Sequence, residues 1–200
     1  MKIAIIQYNA GNVQSVQYAL QRLGVESEIT SEKETIRRAD KVILPGVGYA
    51  KPAMQYLKEM ELDKIILSLK QPVLGICLGL QLLCSHSEEG DTPCLGVFEA
   101  GVKLFPKAGQ KSENLKVPQV GWNNIYDCKG ELFKGVNEND FVYFLHSYYA
   151  VVCNATRAKT DYIVSYSAAL QKDNYYAVQF HPEKSGVEGE TILKNFINIP

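Results

Sequence analysis

The sequence predicts an α/β protein. A doubly wound, mostly parallel central sheet carries helices on both faces, and the C-terminal half adds a smaller mixed or antiparallel sheet. Three observations predict this. In the first half, short apolar runs alternate with segments of helical periodicity, the pattern of βαβ units whose strands are buried on both faces. From about Gly96 the pattern changes to strand-like segments rich in Tyr, Phe and Val, separated by turn residues. No linker divides the halves, so residues 1–200, at 46% hydrophobic, read as one domain with a sizeable core.

Taken in order, Lys2–Gln7 (KIAIIQ) is a buried strand, followed by a turn with Gly11. Val13–Leu23 has helical periodicity and Gly24 ends it. Val25–Thr30 is a second strand and Glu32–Arg38 a short helix. Lys41–Leu44 (KVIL) is a third buried strand, cut off by Pro45-Gly46. Helical segments cover about Lys51–Lys70, then Pro72–Ile76 is a fourth strand with a helix, Leu78–Ser85, directly after it. The crossovers between parallel strands are expected to be right-handed. Further on, Val97–Leu104, Trp122–Tyr126, Phe141–Tyr149, Tyr162–Ala168 and Tyr175–Phe180 are strand-like, and Val187–Ile197 closes the chain as a helix.

Composition narrows the function. Lys and Arg number 21 against 22 Asp and Glu, a net charge of -1, which gives no electrostatic footprint for nucleic acid or an anionic membrane. The N-terminal apolar run is too short for a signal peptide, and no stretch approaches the roughly 20 apolar residues of a membrane span. The five cysteines, Cys77, Cys84, Cys94, Cys128 and Cys153, are odd in number and scattered. A reduced, cytoplasmic compartment follows as the expectation. Cys77, Cys84, His86 and Cys94 lack zinc-ligand spacing, so neither metal nor cofactor is expected.

The sharpest local signal is Gly75-Ile76-Cys77-Leu78-Gly79, where an apolar strand meets a helix. This is a nucleophile elbow with cysteine in place of serine. A nucleophile at the tip of a tight turn is exposed and held in strained geometry. Side chains two positions before and after it would collide, hence the glycines. The helix N-terminus favours the reactive thiolate. Alone, the pattern fits a structural cysteine beside two packing glycines equally well.

The second signal is Gln179-Phe180-His181-Pro182-Glu183. Pro182 biases the preceding residue toward extended geometry. Positions two apart in an extended segment point the same way, so His181 and Glu183 lie side by side and the carboxylate fixes the imidazole. Both signals fall at the carboxyl ends of strands, where open parallel sheets place their ligands. Cys77, His181 and Glu183 are thus the nucleophile, base and orienting acid of a thiol acyl-transfer site. Pro45-Gly46-Val47-Gly48 also follows a buried strand. Its backbone N–H groups at Gly46 and Val47, with that of Leu78, would form an oxyanion hole. His146, in an aromatic strand, reads as a packed or hydrogen-bonded residue, and His86 as solvated.

GICLGLQ at Gly75–Gln81 and QFHPE at Gln179–Glu183 resemble the nucleophile and His/Glu segments of the class I glutamine amidotransferase family. Within it, the branch most similar is the glutaminase subunits of imidazole glycerol phosphate synthases. YNAGN at Tyr8–Asn12, PGVG at Pro45–Gly48, GWN at Gly121–Asn123, FLHSY at Phe144–Tyr148 and HPEKS at His181–Ser185 carry that likeness over nearly the whole chain. The resemblance implies a glutaminase: Cys77 attacks the glutamine side-chain amide, and ammonia passes to a (β/α)8-barrel cyclase partner in a heterodimer. That partner makes imidazole glycerol phosphate and an aminoimidazole carboxamide nucleotide in histidine biosynthesis. It also implies that Gly48, Gln81, Glu89, Ser147 and Tyr148 contact glutamine, and that Asn9, Asn12, Trp122, Tyr143 and Lys184 lie at the partner face. Gln7, where the branch has an acid, and Gln119, where it has a histidine, depart from the pattern near that face. Three alternatives remain open: the same glutaminase serving another synthase, such as one amidating a nucleotide sugar; another cysteine-elbow hydrolase; and a catalytically silent interaction subunit.

Overall fold

The computed structural model describes residues 1–8, 11, 13–106 and 115–200. In chain order the first half contains β1 (Ile3–Ile6), α1 (Val13–Arg22), β2 (Ser27–Thr30), α2 (Lys33–Arg38), β3 (Lys41–Gly46), α3 (Ala50–Glu59), α4 (Leu62–Ser68), β4 (Val73–Cys77) and α5 (Leu78–Leu83). The second contains β5 (Cys84–Ser87), β6 (Thr92–Pro93), β7 (Phe98–Leu104), β8 (Gln119–Asn124), β9 (Phe141–His146), β10 (Tyr148–Ala150), β11 (Thr156–Asp161), β12 (Ser165–Lys172), β13 (Tyr175–Val178) and α6 (Gly186–Asn198).

A seven-stranded sheet runs β11-β12-β13-β4-β3-β1-β2. Its five strands from β13 to β2 are parallel, and β12 and β11 extend it antiparallel. β1 shows why both faces carry helices. Ala4 and Ile6 point into a core formed with α2 to α5, while Ile3 and Ile5 point into a second core with α1 and α6. Burying each such aliphatic side chain contributes roughly 1.5–3 kcal/mol. Helix α1 buries Val16, Ala19 and Leu20, one stripe at helical spacing. Gly24, at φ 73, then ends it, with the Gly24 and Val25 N–H groups donating to the Gln21 and Leu20 carbonyls at 2.9 and 3.0 Å.

Among the departures from the expected elements, the strand expected at Tyr162–Ala168 is β12, Ser165–Lys172, preceded by an unexpected β11, and four others shape the fold around the strand ends. β3 does not stop before Pro45 but runs to Gly46, pairing Pro45 with Ile76 and Gly46 with Cys77. Val42 N–H donates to Pro72, so even-numbered residues of β3 face β4, and the nitrogen of Pro45 faces the side where β1 pairing has ended at Ile43. The helical stretch 51–70 is two helices, broken at Glu61 with φ 54. Helix α5 ends at Leu83, because Cys84–Ser87 leaves it to pair with β7 and β6 in a four-stranded mixed sheet ordered β10-β7-β5-β6. The run Phe141–Tyr149 is two strands divided at Ser147: β9 pairs with β8 in a separate antiparallel ribbon, and β10 joins β7.

Candidate active site

The sheet register converges three segments. Gly46 on β3 lies opposite Cys77 on β4, and Val178 on β13 lies opposite Ile76. Gly46, Cys77 and, three residues past Val178, His181 therefore gather at the carboxyl end of three adjacent parallel strands.

Cys77 has φ 54 and ψ -106, a left-handed backbone that a β-carbon-bearing residue adopts only at a cost of order 1–3 kcal/mol. The surrounding packing holds it there. A Cβ on Gly75 would stand 2.9 Å from the backbone of Gly79 and 2.8 Å from Leu83, so glycine at 75 lets α5 fold back onto β4. Gly79 is needed for a different reason than mutual collision: its Cβ would meet the carbonyl oxygen of Leu44 at 1.8 Å, so α5 rests directly on the backbone of β3.

His181 is 1% exposed. Its Nδ1 lies 2.8 Å from Glu183 Oε1, and its Nε2 is buried with no hydrogen-bond partner among the described residues. The pair does not meet along an extended segment. Pro182–Lys184 forms a 3-10 turn after an extended His181, and the turn brings Glu183 back under the ring. Ser185 Oγ locks the turn, donating to the His181 carbonyl at 2.6 Å and accepting from Tyr143 N–H at 2.9 Å. Burial pushes the imidazole pKa down, but the Cys77 sulfur and the Glu183 carboxylate more than reverse this and lift it to about 10. The ring thus sits between the Cys77 sulfur and the Glu183 carboxylate, and both favour its protonated form.

The Cys77 thiol also touches protein. Gln179 Nε2 donates to Sγ at 3.7 Å, and Sγ lies 3.7 Å from the carbonyl of Leu145 on β9. Gln179 Oε1 in turn accepts from Gln81 Nε2 at 3.1 Å, and the same Gln81 amide donates to the Tyr148 carbonyl at 2.9 Å. Both donors of Gln81 are spent inside the protein, which leaves its Oε1 for a ligand. Glu89 is half-buried, and its carboxylate accepts from Ala50 N–H at the start of α3 at 2.7 Å. Burial raises its pKa, and the Ala50 bond works against that rise. Ser147 joins β9 to β10, and its carbonyl accepts from Phe105 N–H at 3.0 Å. Val47 is half-buried, and Gly48 is exposed at φ 119.

On the other side of the thiol, the β8–β9 ribbon exposes Val120, Trp122, Phe141 and Leu145. Lys184 Nζ stands 6.0 Å from the Tyr143 ring centroid, and Trp122 and Tyr143 meet edge to face at 6.1 Å. Asn9 and Asn12 lie outside the described residues. No helix among the described residues is long and apolar enough to cross a membrane.

Three residues at the site have no role in the sequence motifs: Gln179 and Leu145, which approach the thiol, and Tyr8, buried near enough to feel the charge of Cys77. Gln179 carried a usable signal, since it lies two positions before His181 and so faces the same way. Leu145 acts through its backbone, and Tyr8 is an aromatic at a strand end, so neither carries a chemical pattern in sequence.

The family model described as glutamine amidotransferase class-I matches residues 4–199. A protein named imidazole glycerol phosphate synthase subunit HisH from Bacteroides fragilis is 59% identical over 199 residues, covering 100% of both chains. One of the same name from Pectobacterium atrosepticum is 44% identical over 201 residues, again covering 100% of both. In fold, the chain is similar to the solved structure of a glutamine amidotransferase from Thermotoga maritima, with TM-score 0.65, 18% identity, and 99% of this chain and 83% of that one covered.

Proposed function

The chain belongs to the class I glutamine amidotransferase family, and on that premise we propose that it is the glutaminase subunit of an imidazole glycerol phosphate synthase, acting in the cytoplasm on free glutamine. The observation that carries the chemistry is the His181 ring, bonded to Glu183 through Nδ1, its Nε2 buried without a partner among the described residues, and close enough to the Cys77 sulfur on its strained elbow for that sulfur to raise its pKa.

The Cys77 thiolate attacks the side-chain amide carbon of glutamine. The developing oxyanion is held by N–H groups of Leu78 and the Gly46–Val47 backbone. His181 gives its Nε2 proton to the amide nitrogen as the C–N bond breaks, releasing ammonia and leaving a thioester. The now neutral imidazole takes a proton from water, whose oxygen attacks the thioester, and glutamate leaves as the thiolate and imidazolium return. An imidazolium pKa of about 10 stores the proton for the leaving group, and Glu183 keeps the ring aimed. Gln81 Oε1 and the Glu89 carboxylate receive the N–H groups of the substrate, with Gly48, Ser147 and Tyr148 against its backbone atoms. In this reading Glu89 exchanges or shares its bond to Ala50 when glutamine binds.

The partner is a (β/α)8-barrel cyclase subunit in a heterodimer, seated on the apolar ribbon with Trp122, Tyr143 and Lys184, and ammonia passes through that face. Asn9 and Asn12 belong to the same face by resemblance. Support for this partner is the full-length likeness to proteins named as subunits of that synthase.

The test is glutamate release by the chain alone, then with a cyclase subunit and its nucleotide substrate. Stimulation by the partner is expected. Full activity alone, unchanged by the partner, would point to another synthase, and no release under either condition would remove the glutaminase reading.

A further inference from the structure

Tyr8, just past the end of β1, is 4% exposed, and its hydroxyl is buried without a hydrogen-bond partner among the described residues. A buried hydroxyl left unpaired is destabilising, because it loses its bonds to water and gains none in return. The same oxygen lies 2.1 Å from where a Cβ on Gly46 would stand, so it rests against the Gly46 α-carbon; that Cβ would also come within 3.1 Å of Leu78 Cβ. Gly46 is the register partner of Cys77. An unsatisfied donor thus touches the one stretch of backbone that links β3 to the proposed oxyanion loop.

We propose that Tyr8 is a positioning residue for that loop: its hydroxyl takes the backbone carbonyl of the Gly46–Val47 peptide when that peptide presents its N–H to the oxyanion. A peptide's C=O and N–H point in opposite directions, so a turn that offers the N–H to substrate must re-house the carbonyl. Tyr8 is the buried donor placed to receive it. As the structure stands the hydroxyl has no partner among the described residues, and the turned peptide would supply one, so the difference favours the competent loop. Burial raises the phenol's pKa, as does the charge of Cys77, so it remains a donor at any working pH. Gly46 is glycine because any side chain there would occupy the hydroxyl's place.

The inference rests on the glutaminase reading and is separable from it by Tyr8→Phe, which removes one oxygen. Wild type and variant are compared in the complex with the synthase subunit and its nucleotide. Four readouts are taken: kcat and KM for glutamate release, the rate of Cys77 alkylation by iodoacetamide, and the melting temperature of the free chain. The expected result is a partner-stimulated kcat lowered about tenfold, the equivalent of one buried hydrogen bond. KM and the alkylation rate should be unchanged, since alkylation needs no oxyanion hole, and the free chain should melt no lower than wild type. A variant with wild-type stimulated kcat overturns the proposal. So does one in which alkylation and melting temperature fall together with kcat, because Tyr8 would then be ordinary packing. Wild type that releases no glutamate would instead count against the glutaminase reading itself.

Discussion

Two histidines lie in this core within reach of each other's charge, and the structure drives them in opposite directions. His181 bonds a carboxylate through Nδ1 and faces a thiol, and its pKa is lifted to about 10. His146 bonds the Tyr148 carbonyl through Nδ1 at 2.8 Å and the Tyr166 hydroxyl through Nε2 at 3.1 Å. Burial drives its pKa down to about 3; the Tyr148 carbonyl resists, and the charge of His181 adds to the fall. Both rings are buried and both are hydrogen-bonded. What separates them is the partner set: a carboxylate and a nearby sulfur hold a proton on His181, while neutral dipoles leave His146 a neutral fastener. The first suits chemistry and the second suits architecture.

Removing the sulfur attacks the comparison most directly. Cys77→Ala should reduce glutamate release roughly 10^6-fold, to the assay floor, with the fold intact by circular dichroism. It should also lower the His181 pKa from its raised value, because one of the two charges holding the proton is gone, which an NMR titration of the ring would follow. An unmoved titration would mean Glu183 alone holds the proton. Next in size is Glu183→Gln, expected to lower kcat on the order of 10^3- to 10^4-fold by releasing the ring's orientation and its charge. It should also bring the His181 titration down toward that of an ordinary histidine.

The smallest effect belongs to the other ring. His146→Asn keeps one bond toward Tyr148 and loses the one to Tyr166. It should cost about 1 kcal/mol, or roughly 2–4 °C in melting temperature, with activity down less than about tenfold. The sign of its pH dependence is opposite to that of a salt-bridged histidine. A ring with a depressed folded pKa leaves the folded state short of a proton that the unfolded chain binds. Its stabilising contribution is therefore full above about 6.5 and is lost as pH falls toward 3. Melting curves of wild type and His146→Asn between those limits should converge as the medium becomes more acid; parallel curves would show that His146 is protonated in place.

The outline of the sheet and the helices on its two faces were legible in sequence because buried parallel strands read as unbroken apolar runs, as in Ile3–Ile6 and Val73–Cys77. β5, β6 and β11 were not. CSHS and TRAKTD carry no apolar run, and they form because neighbouring strands offer unpaired edges. At the site, the elbow and the His-Pro-Glu segment announced themselves through residue types at fixed spacing. The 3-10 turn that joins His181 to Glu183 did not, since an extended segment and a tight turn both bring positions two apart together. The Gln81–Gln179–Cys77 chain spans 102 positions between Cys77 and Gln179, a link that only the β4–β13 pairing creates.

Leu145 has its carbonyl 3.7 Å from the nucleophilic sulfur and its side chain on the outer face of the ribbon. The partition between the reaction chamber and whatever rests on that face is therefore a single strand of backbone. A partner pressing there would need no long relay of moving parts to reach the thiol, and under the proposed function ammonia released at the thiol would have only one layer to cross.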